Sequence, residues 1–255
     1  MTIAIAHALR TLREDSGISL RRVAKKAGIS AAKLSGLETG DRRHDVTILA
    51  FLLGTIGVTA ETMNRLVNLA KCADKPDFFD PAGSYEHILR SGFERLSKEV
   101  FEWSPTLFPR GLRSSNYSRA IQETSLPHPD TATAALVPAP ARIWTDKSEP
   151  LFTFLIGETA TSTANWPMDV ICEQIEELAT VSKLIRISVA LVPTSFCPPG
   201  LVEPFTLYKN HRDTAFAVAV KHGQGTAFLT NEESVKDYAK IADWLRSGIR
   251  EEPWP

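Results

Sequence analysis

Basic and hydroxyl side chains recur at short spacing between residues 19 and 43, and this combination suits contact with phosphates and base edges of a nucleic acid. Lys33 and Ser35 are the best candidates for contact with a base or a phosphate. Six more basic residues are candidates for phosphate contact, namely Arg21, Arg22, Lys25, Lys26, Arg42 and Arg43. The remaining candidates stand where helices are predicted to begin, namely Ser19, Ser30, Ala31 and Ala32. These residues can bind DNA only if the fold places them on one surface.

Two short helices separated by one tight turn are predicted to position these side chains. Ser19 is placed to cap the first helix, and Gly28 stops it. The apolar residues of that helix follow the i, i+3, i+4, i+7 spacing of a buried face, namely Leu20, Val23, Ala24 and Ala27. Ser30 caps the second helix, which ends at Gly40. A major groove about 12 Å wide admits one helix, so the second helix is expected to present its N-terminal residues to the bases.

Three further helical patterns surround this pair, at residues 4–15, 45–54 and 60–73. The sequence therefore predicts a compact all-α domain of five helices over residues 1–75. Those residues contain twelve Lys and Arg against seven Asp and Glu, a net charge of +5, whereas the remainder contains seventeen against twenty-three, a net charge of −6. A basic domain joined to an acidic one is typical of a phosphate-binding module with a partner domain that does not bind phosphate.

The residues that read ISLRRVAKKAGIS at 18–30 and LSGLETG at 34–40 resemble the helix-turn-helix of the lambda repressor-like, xenobiotic-response-element (XRE) family of regulators. The resemblance covers about 60 residues and implies DNA binding. It also implies a structural ion pair between Glu38 and either Arg10 or Arg13. The sequence departs from the family pattern at Leu20, where a polar residue, often Gln, is usual, and at Gly36, where a long polar or basic side chain is usual, and this implies a reduced capacity to read bases.

A second domain is predicted from residue 85 to residue 255. Residues 74–84 contain two prolines and a glycine, which oppose a continuing helix and mark the boundary. Short runs rich in β-branched and aromatic residues predict strands at 151–156, 185–192, 205–209 and 215–221. Helices are predicted at 84–103, 168–182 and 231–247, a surface loop at the proline-rich stretch 126–141, and a hairpin turn at 223–225. This pattern indicates an α+β domain with a mostly antiparallel sheet.

Segments of the second domain are similar to the actinobacterial WhiJ-like, antitoxin-like regulators, namely residues 93–95, 103–112, 117–120, 152–158, 170–178, 187–193 and 204–207. The resemblance implies a regulator often encoded beside a small partner protein, with a second domain that senses or dimerises. The sequence departs from the pattern at an inserted Arg110 and at residues 113–115. Five aromatic residues can either line a ligand pocket or, as is more common, fill the core, namely Phe101, Trp103, Tyr117, Trp144 and Trp166.

Membrane, metal and catalytic signatures are not found in the sequence. No uncharged apolar run approaches the ~20 residues of a membrane span, so a cytoplasmic location is expected, with Cys72, Cys172 and Cys197 reduced. The six histidines show neither His-x-x-x-His nor His-Glu-x-x-His spacing. Cys197 with His211 or His222 lacks a surrounding nucleophile motif. We therefore expect no catalytic residue, no metal, no cofactor and no enzymatic activity.

These observations together predict a sequence-specific transcriptional regulator. Because one helix-turn-helix reads only a half-site, we expect a homodimer that binds double-stranded operator DNA with half-sites about 34 Å apart or multiples of that distance. The second domain is expected to dimerise or to sense a small-molecule effector or a small partner protein. The alternative is an antitoxin-like protein-interaction module in which DNA binding is secondary.

Overall fold

The structure is a computed structural model that describes residues 1–81, 85–123, 150–162, 166–197, 200–201, 203–223 and 225–249. The chain divides into two compact units, Met1–Leu96 and Ser97–Pro255. The sequence places this division earlier, at residues 74–84, because the prolines there interrupt the helical pattern. Within the described residues, no helix has both the length and the apolarity needed to cross a membrane. The two units are described separately below.

The first unit contains the five predicted helices. They are α1 (Thr2–Asp15), α2 (Leu20–Lys26), α3 (Ala31–Thr39), α4 (Val46–Ile56) and α5 (Ala60–Lys71). Three of them begin at side-chain caps, in which Ser30, Asp45 and Thr59 accept hydrogen bonds from the first turn. Since an N-cap satisfies amides that have no partner inside the helix, these short polar residues fix where each helix starts. The all-α five-helix arrangement predicted from the sequence is confirmed.

A sixth helix completes the first unit. The strand β1 (Asp77–Pro81) and the helix α6 (Glu86–Leu96) follow α5, and α6 packs along α1. Gly92 of α6 lies so close to α1 that a Cβ atom there would be 2.4 Å from the Cα of Ala4. Because the backbones of α1 and α6 approach so closely, α6 belongs to the first unit. The prolines at residues 74–84 indicate only where the local helical pattern stops, so they placed the boundary too early.

The second unit contributes six strands to a sheet and also contains the helices α7 (Ser115–Glu123), α8 (Met168–Val181) and α9 (Glu232–Ser247). Its strands are β2 (Glu99–Ser104), β3 (Leu151–Gly157), β4 (Ile187–Val192), β5 (Phe205–Lys209), β6 (Ala215–His222) and β7 (Gly225–Leu229). They lie in the order β7-β6-β5-β2-β3-β4. The pairs β2–β3 and β3–β4 are parallel, while β2–β5, β5–β6 and β6–β7 are antiparallel. The α+β fold with a mostly antiparallel sheet is therefore confirmed.

The helix predicted at 84–103 is wrong in its second half. Helix α6 ends at Leu96, and residues 99–104 form β2 instead. Val100, Phe101 and Trp103 are buried in this strand. Their apolar spacing fits either a helix face or a buried strand, and pairing with β3 on one side and β5 on the other decides in favour of the strand.

The end of the chain adds one strand that the sequence did not predict. Strand β7 pairs antiparallel with β6, and His222 lies opposite Gly225, as a hairpin between these strands requires, while Gln224 of the predicted turn at 223–225 lies outside the described residues. One face of the sheet packs against α9 through a core that includes Phe101, Trp103, Leu155 and Leu207. The proline-rich stretch 126–141 lies outside the described residues.

Candidate nucleic-acid interface

A buried ion pair holds α3 against α1. Arg13 donates from Nε to Glu38 Oε1 at 2.6 Å and from Nη2 to Glu38 Oε2 at 2.7 Å. The side chains of Arg13 and Glu38 are only 10% and 4% exposed, and the hydrogen bond to Glu38 raises the pKa of Arg13 above its usual value. Arg10 pairs with Glu14 on the surface instead. The structure therefore selects Arg13 from the two arginines that the family resemblance allowed.

Helix α3 has one buried side and one exposed side. Leu34, Leu37 and Glu38 are buried, whereas the candidate residues Ala31, Ala32 and Ser35 are exposed and Lys33 is half-buried. The exposed Ser30 accepts a hydrogen bond from the Lys33 amide at 3.1 Å and so fixes the first turn. The first turn of α3 is thus capped and exposed, as a helix that enters a groove requires.

The basic residues of α2 face away from the core. Val23 and Ala24 are buried, and the four cations Arg21, Arg22, Lys25 and Lys26 are exposed. Ser19 is the N-cap residue, but its side chain makes no capping hydrogen bond, so the expected side-chain cap is wrong at this position. Because α2 packs against the core of the first unit through its apolar side, its charged side remains exposed to solvent.

The two arginines after α3 differ in their surroundings. Both are exposed. Arg43 forms a surface ion pair with Asp74, whereas the side chain of Arg42 lies across Gly36 of α3. The sequence treated these neighbours as equivalent phosphate ligands, and only the folded chain distinguishes them.

The predicted aromatic residues of the second unit lie in its core. Phe101, Trp103 and Tyr117 are fully buried, and Trp166 packs against Tyr117 with ring centroids 5.0 Å apart. Trp144 lies outside the described residues. The sequence allowed these aromatic residues either to line a ligand pocket or to fill the core, and those that the structure describes support the core.

A buried polar network that was not predicted from the sequence lies at residues 113–115, where the chain departs from the family pattern. The Ser114 amide donates to Gln174 Oε1 at 2.7 Å, Gln174 Nε2 donates to the Leu112 carbonyl at 2.7 Å, and Arg113 Nε donates to the Phe108 carbonyl at 2.7 Å. Gln174 is fully buried in α8. Gln174 lies on the same side of α8 as the apolar Ile171 and Leu178. This spacing could have indicated the network from the sequence, because a glutamine on a buried helix face needs hydrogen-bond partners.

The described part of the chain shows no arrangement of side chains suited to binding a metal or to activating a cysteine thiol. No group of three or more potential metal ligands is present there. The Cys197 thiol lies 3.9 Å from the Leu201 carbonyl, and burial raises the pKa of this thiol, which opposes formation of the nucleophilic thiolate. His222 lies 3.2 Å from Glu203.

Comparison with known proteins finds two different family models along the chain. Residues 4–66, which contain most of α1, all of α2 to α4 and part of α5, match the family model described as Helix-turn-helix domain. The first unit thus contains a helix-turn-helix domain, a fold that many DNA-binding regulators use. Residues 91–248 match the model described as Domain of unknown function (DUF5753). Since this match spans more than half of the chain, the protein belongs to the DUF5753 family.

More distant comparisons add little. No curated protein matches the chain. A solved structure of the archaeal chromatin protein TrmBL2, described as showing a novel mode of DNA binding, aligns over 92% of this chain and 88% of that one with 8% sequence identity and a TM-score of 0.33. That TM-score is too low to indicate a shared fold.

Proposed function

We propose that this protein is a sequence-specific DNA-binding transcriptional regulator that places the start of α3 in the major groove of an operator. The observation that carries the proposal is a group of five cations on α2 and at the start of α3 that make no ion pair with any described residue, namely Arg21, Arg22, Lys25, Lys26 and Lys33. Cations without internal partners keep their full charge for DNA phosphates, and binding releases the counterions condensed there.

Each candidate residue has a distinct role in this proposal. Lys33 and Ser35 face base edges, with Ser30, Ala31 and Ala32 lining the same end of α3. Arg21, Arg22, Lys25 and Lys26 contact phosphates beside the groove, together with Ser19 at the start of α2, and Arg42 and Arg43 lie at the other end of α3. The Arg13–Glu38 pair keeps α3 fixed while these contacts form.

The proposal includes a homodimer. One helix-turn-helix contacts only half of a site, and two copies related by a twofold axis read half-sites about 34 Å apart or multiples of that distance. We assign dimerisation and control to the second unit, through a small-molecule effector or a small partner protein, as its resemblance to WhiJ-like, antitoxin-like regulators implies. Such a regulator acts on the chromosome in the cytoplasm.

The test is selection of genomic DNA by the purified full-length protein, followed by titration of the recovered sequence and a scrambled duplex across a salt series. We expect a pseudo-palindrome that is preferred by about a thousandfold or more. Arg22→Ala is expected to weaken binding to both duplexes and to reduce the salt slope by about 0.9. The matched control is Arg65→Ala, because Arg65 is an exposed arginine on α5 that already pairs with Glu61 at 2.6 Å.

The outcomes separate the proposal from its alternative. Equal affinity for both duplexes contradicts sequence specificity. A chain that binds neither duplex contradicts the proposal entirely and favours the antitoxin-like protein-interaction module. Sedimentation of the protein on the recovered duplex checks the dimer, and a single copy bound to the whole pseudo-palindrome would contradict it.

A further inference from the structure

Helix α3 lacks a side chain at a position on its accessible surface. Gly36 lies one turn after Lys33, and residues three apart are neighbours on one helix face. The buried side of α3 is formed by Leu34, Leu37 and Glu38. At Gly36, one turn beyond Lys33, α3 itself therefore offers only backbone atoms on the side that would face a groove.

The following loop fills this position with an arginine. Gly40 ends α3 in the left-handed conformation, with φ of 81°, and the chain turns back so that the Arg42 amide donates to the Gly36 carbonyl at 3.0 Å. The Arg42 Cδ, Cγ and Nε atoms lie 3.0, 3.2 and 3.2 Å from the point where a Cβ of residue 36 would stand. The stem of Arg42 thus occupies the space of the missing side chain.

The charged end of Arg42 is available for a ligand. The neighbouring acid, Asp41, accepts a hydrogen bond from the Thr39 hydroxyl at 2.5 Å, and the neighbouring base, Arg43, pairs with Asp74. Arg42 itself is exposed and makes no ion pair with any residue that the structure describes. Its guanidinium keeps all of its donors, while its backbone and stem are fixed against α3.

We propose that Arg42 reads a guanine in the operator half-site, in place of a side chain at position 36. This inference rests on the proposed function. An arginine fork matches guanine O6 and N7 in the major groove, which is the commonest specific contact between proteins and DNA. Because the stem of Arg42 crosses α3 one turn beyond Lys33, α3 and Arg42 enter the groove together. Gly36 then serves recognition by leaving room for Arg42.

The experiment measures base preference at every position of the selected half-site with the full-length wild-type protein and with Arg42→Ala, Arg42→Lys and Arg43→Ala. We expect Arg42→Ala to lower the preference for guanine at one position by about five- to a hundredfold, with the other positions unchanged. Arg42→Lys retains the charge but loses the planar fork, so it should not restore that preference. Arg43→Ala is the matched control from the same loop: it removes a proposed phosphate contact, so it should weaken all sequences equally and leave the preference for guanine at that position unchanged.

A second variant tests the role of Gly36 independently. Gly36→Ala places a Cβ 3.0 Å from Arg42 Cδ, so the stem of the arginine must shift by a few tenths of an ångström. We expect it to weaken the guanine preference at the same position as Arg42→Ala. The double variant should lose no more preference at that position than Arg42→Ala alone, because both changes remove one contact.

Failure of this inference is distinguishable from failure of the proposed function. If wild type prefers no sequence, the proposed function is wrong and the inference falls with it. If wild type selects a site and Arg42→Ala weakens all sequences equally while lowering the salt slope by about 1, Arg42 is a phosphate ligand and only the inference is wrong. Unchanged preferences in Arg42→Ala also overturn the inference and leave the proposed function standing.

Discussion

Arg13 of α1 and Glu38 of α3 form a two-point ion pair, with N–O distances of 2.6 and 2.7 Å, between side chains that are almost completely buried. The two residues are 25 positions apart in the sequence. The pair fixes the position of α3 relative to α1, and the proposed DNA-binding surface depends on that position.

Loss of one member of this pair should destabilise the first unit. Glu38→Ala leaves the Arg13 guanidinium without its carboxylate in a site with little access to water, and we expect a loss of about 3–5 kcal/mol in the free energy of unfolding. Urea unfolding followed by helical circular dichroism measures the change. The control is Glu61→Ala, which removes an exposed carboxylate that pairs with Arg65 at 2.6 Å and should cost about 1 kcal/mol or less. Equal effects of the two substitutions would contradict the buried-pair explanation.

Two helical glycines should respond to alanine in opposite directions. Gly92→Ala in α6 forces a Cβ to within 2.4 Å of the Ala4 Cα, and because backbone cannot give way easily we expect a loss of about 1–3 kcal/mol or more. At Gly54 in α4, no described atom lies within 4 Å of the added Cβ, so Gly54→Ala should stabilise by about 0.5–1 kcal/mol through helix propensity. Thermal unfolding of both variants tests the prediction, and stabilisation by Gly92→Ala would refute the close packing of α1 and α6.

Gln174 should be essential for the stability of the second unit. Gln174→Leu removes one acceptor and one donor and leaves the Ser114 amide and the Leu112 carbonyl without these partners, so we expect a loss of about 2–5 kcal/mol. The control is Glu176→Leu, an exposed position on the same helix, which should change stability by less than about 0.5 kcal/mol. Denaturant unfolding distinguishes them, and a neutral Gln174→Leu would show that the network contributes nothing.

The first unit should lose stability in mild acid because of His44. The ring Nε2 lies 2.9 Å from the Leu37 carbonyl, and burial lowers the pKa of His44 below its usual value. The unfolded chain therefore binds a proton at a higher pH than the folded chain does. Stability should fall as the pH drops below about 6.5, the ordinary pKa of histidine, and level off once the folded-state pKa is passed.

The pH prediction is checked by unfolding between neutral pH and about pH 5. Burial also lowers the pKa of His7 in the first unit, so His44→Gln removes one of two such groups and should reduce, without abolishing, the loss of stability in this pH range. His211→Gln changes an exposed histidine of the second unit and should leave the profile of the first unit unchanged. An identical acid dependence in wild type and His44→Gln would assign the effect to other groups.

The sequence predicts elements well where the signals are local. Ser30 and Gly40 mark the two ends of α3 through a cap and a left-handed residue, and both act within one turn of their own position. Strand β2 was missed because Val100 and Trp103 satisfy a helical pattern as well as an extended one. The choice depends on partners in β3 and β5 that are about 50 and 100 residues away in the chain.

The same distinction applies to the candidate site. The outward side of α2 follows from the spacing of Val23 and Ala24, so the exposure of its four cations was predictable. The difference between Arg42 and Arg43 was not, because it depends on Asp74 for one and on the empty position at Gly36 for the other. Gly36 was interpreted as a lost contact, whereas the folded loop supplies another side chain at that place.

The packing of α6 on α1 has a consequence for protein synthesis. The helix that begins at Thr2 receives one of its packing partners only when residues 86–96 have been translated. A nascent chain paused near residue 75 holds all five helices of the DNA-binding motif but leaves the Ala4 side of α1 uncovered. The first unit therefore completes its folding only after Leu96 has left the ribosomal exit tunnel, and a fragment intended for expression on its own must extend to that residue.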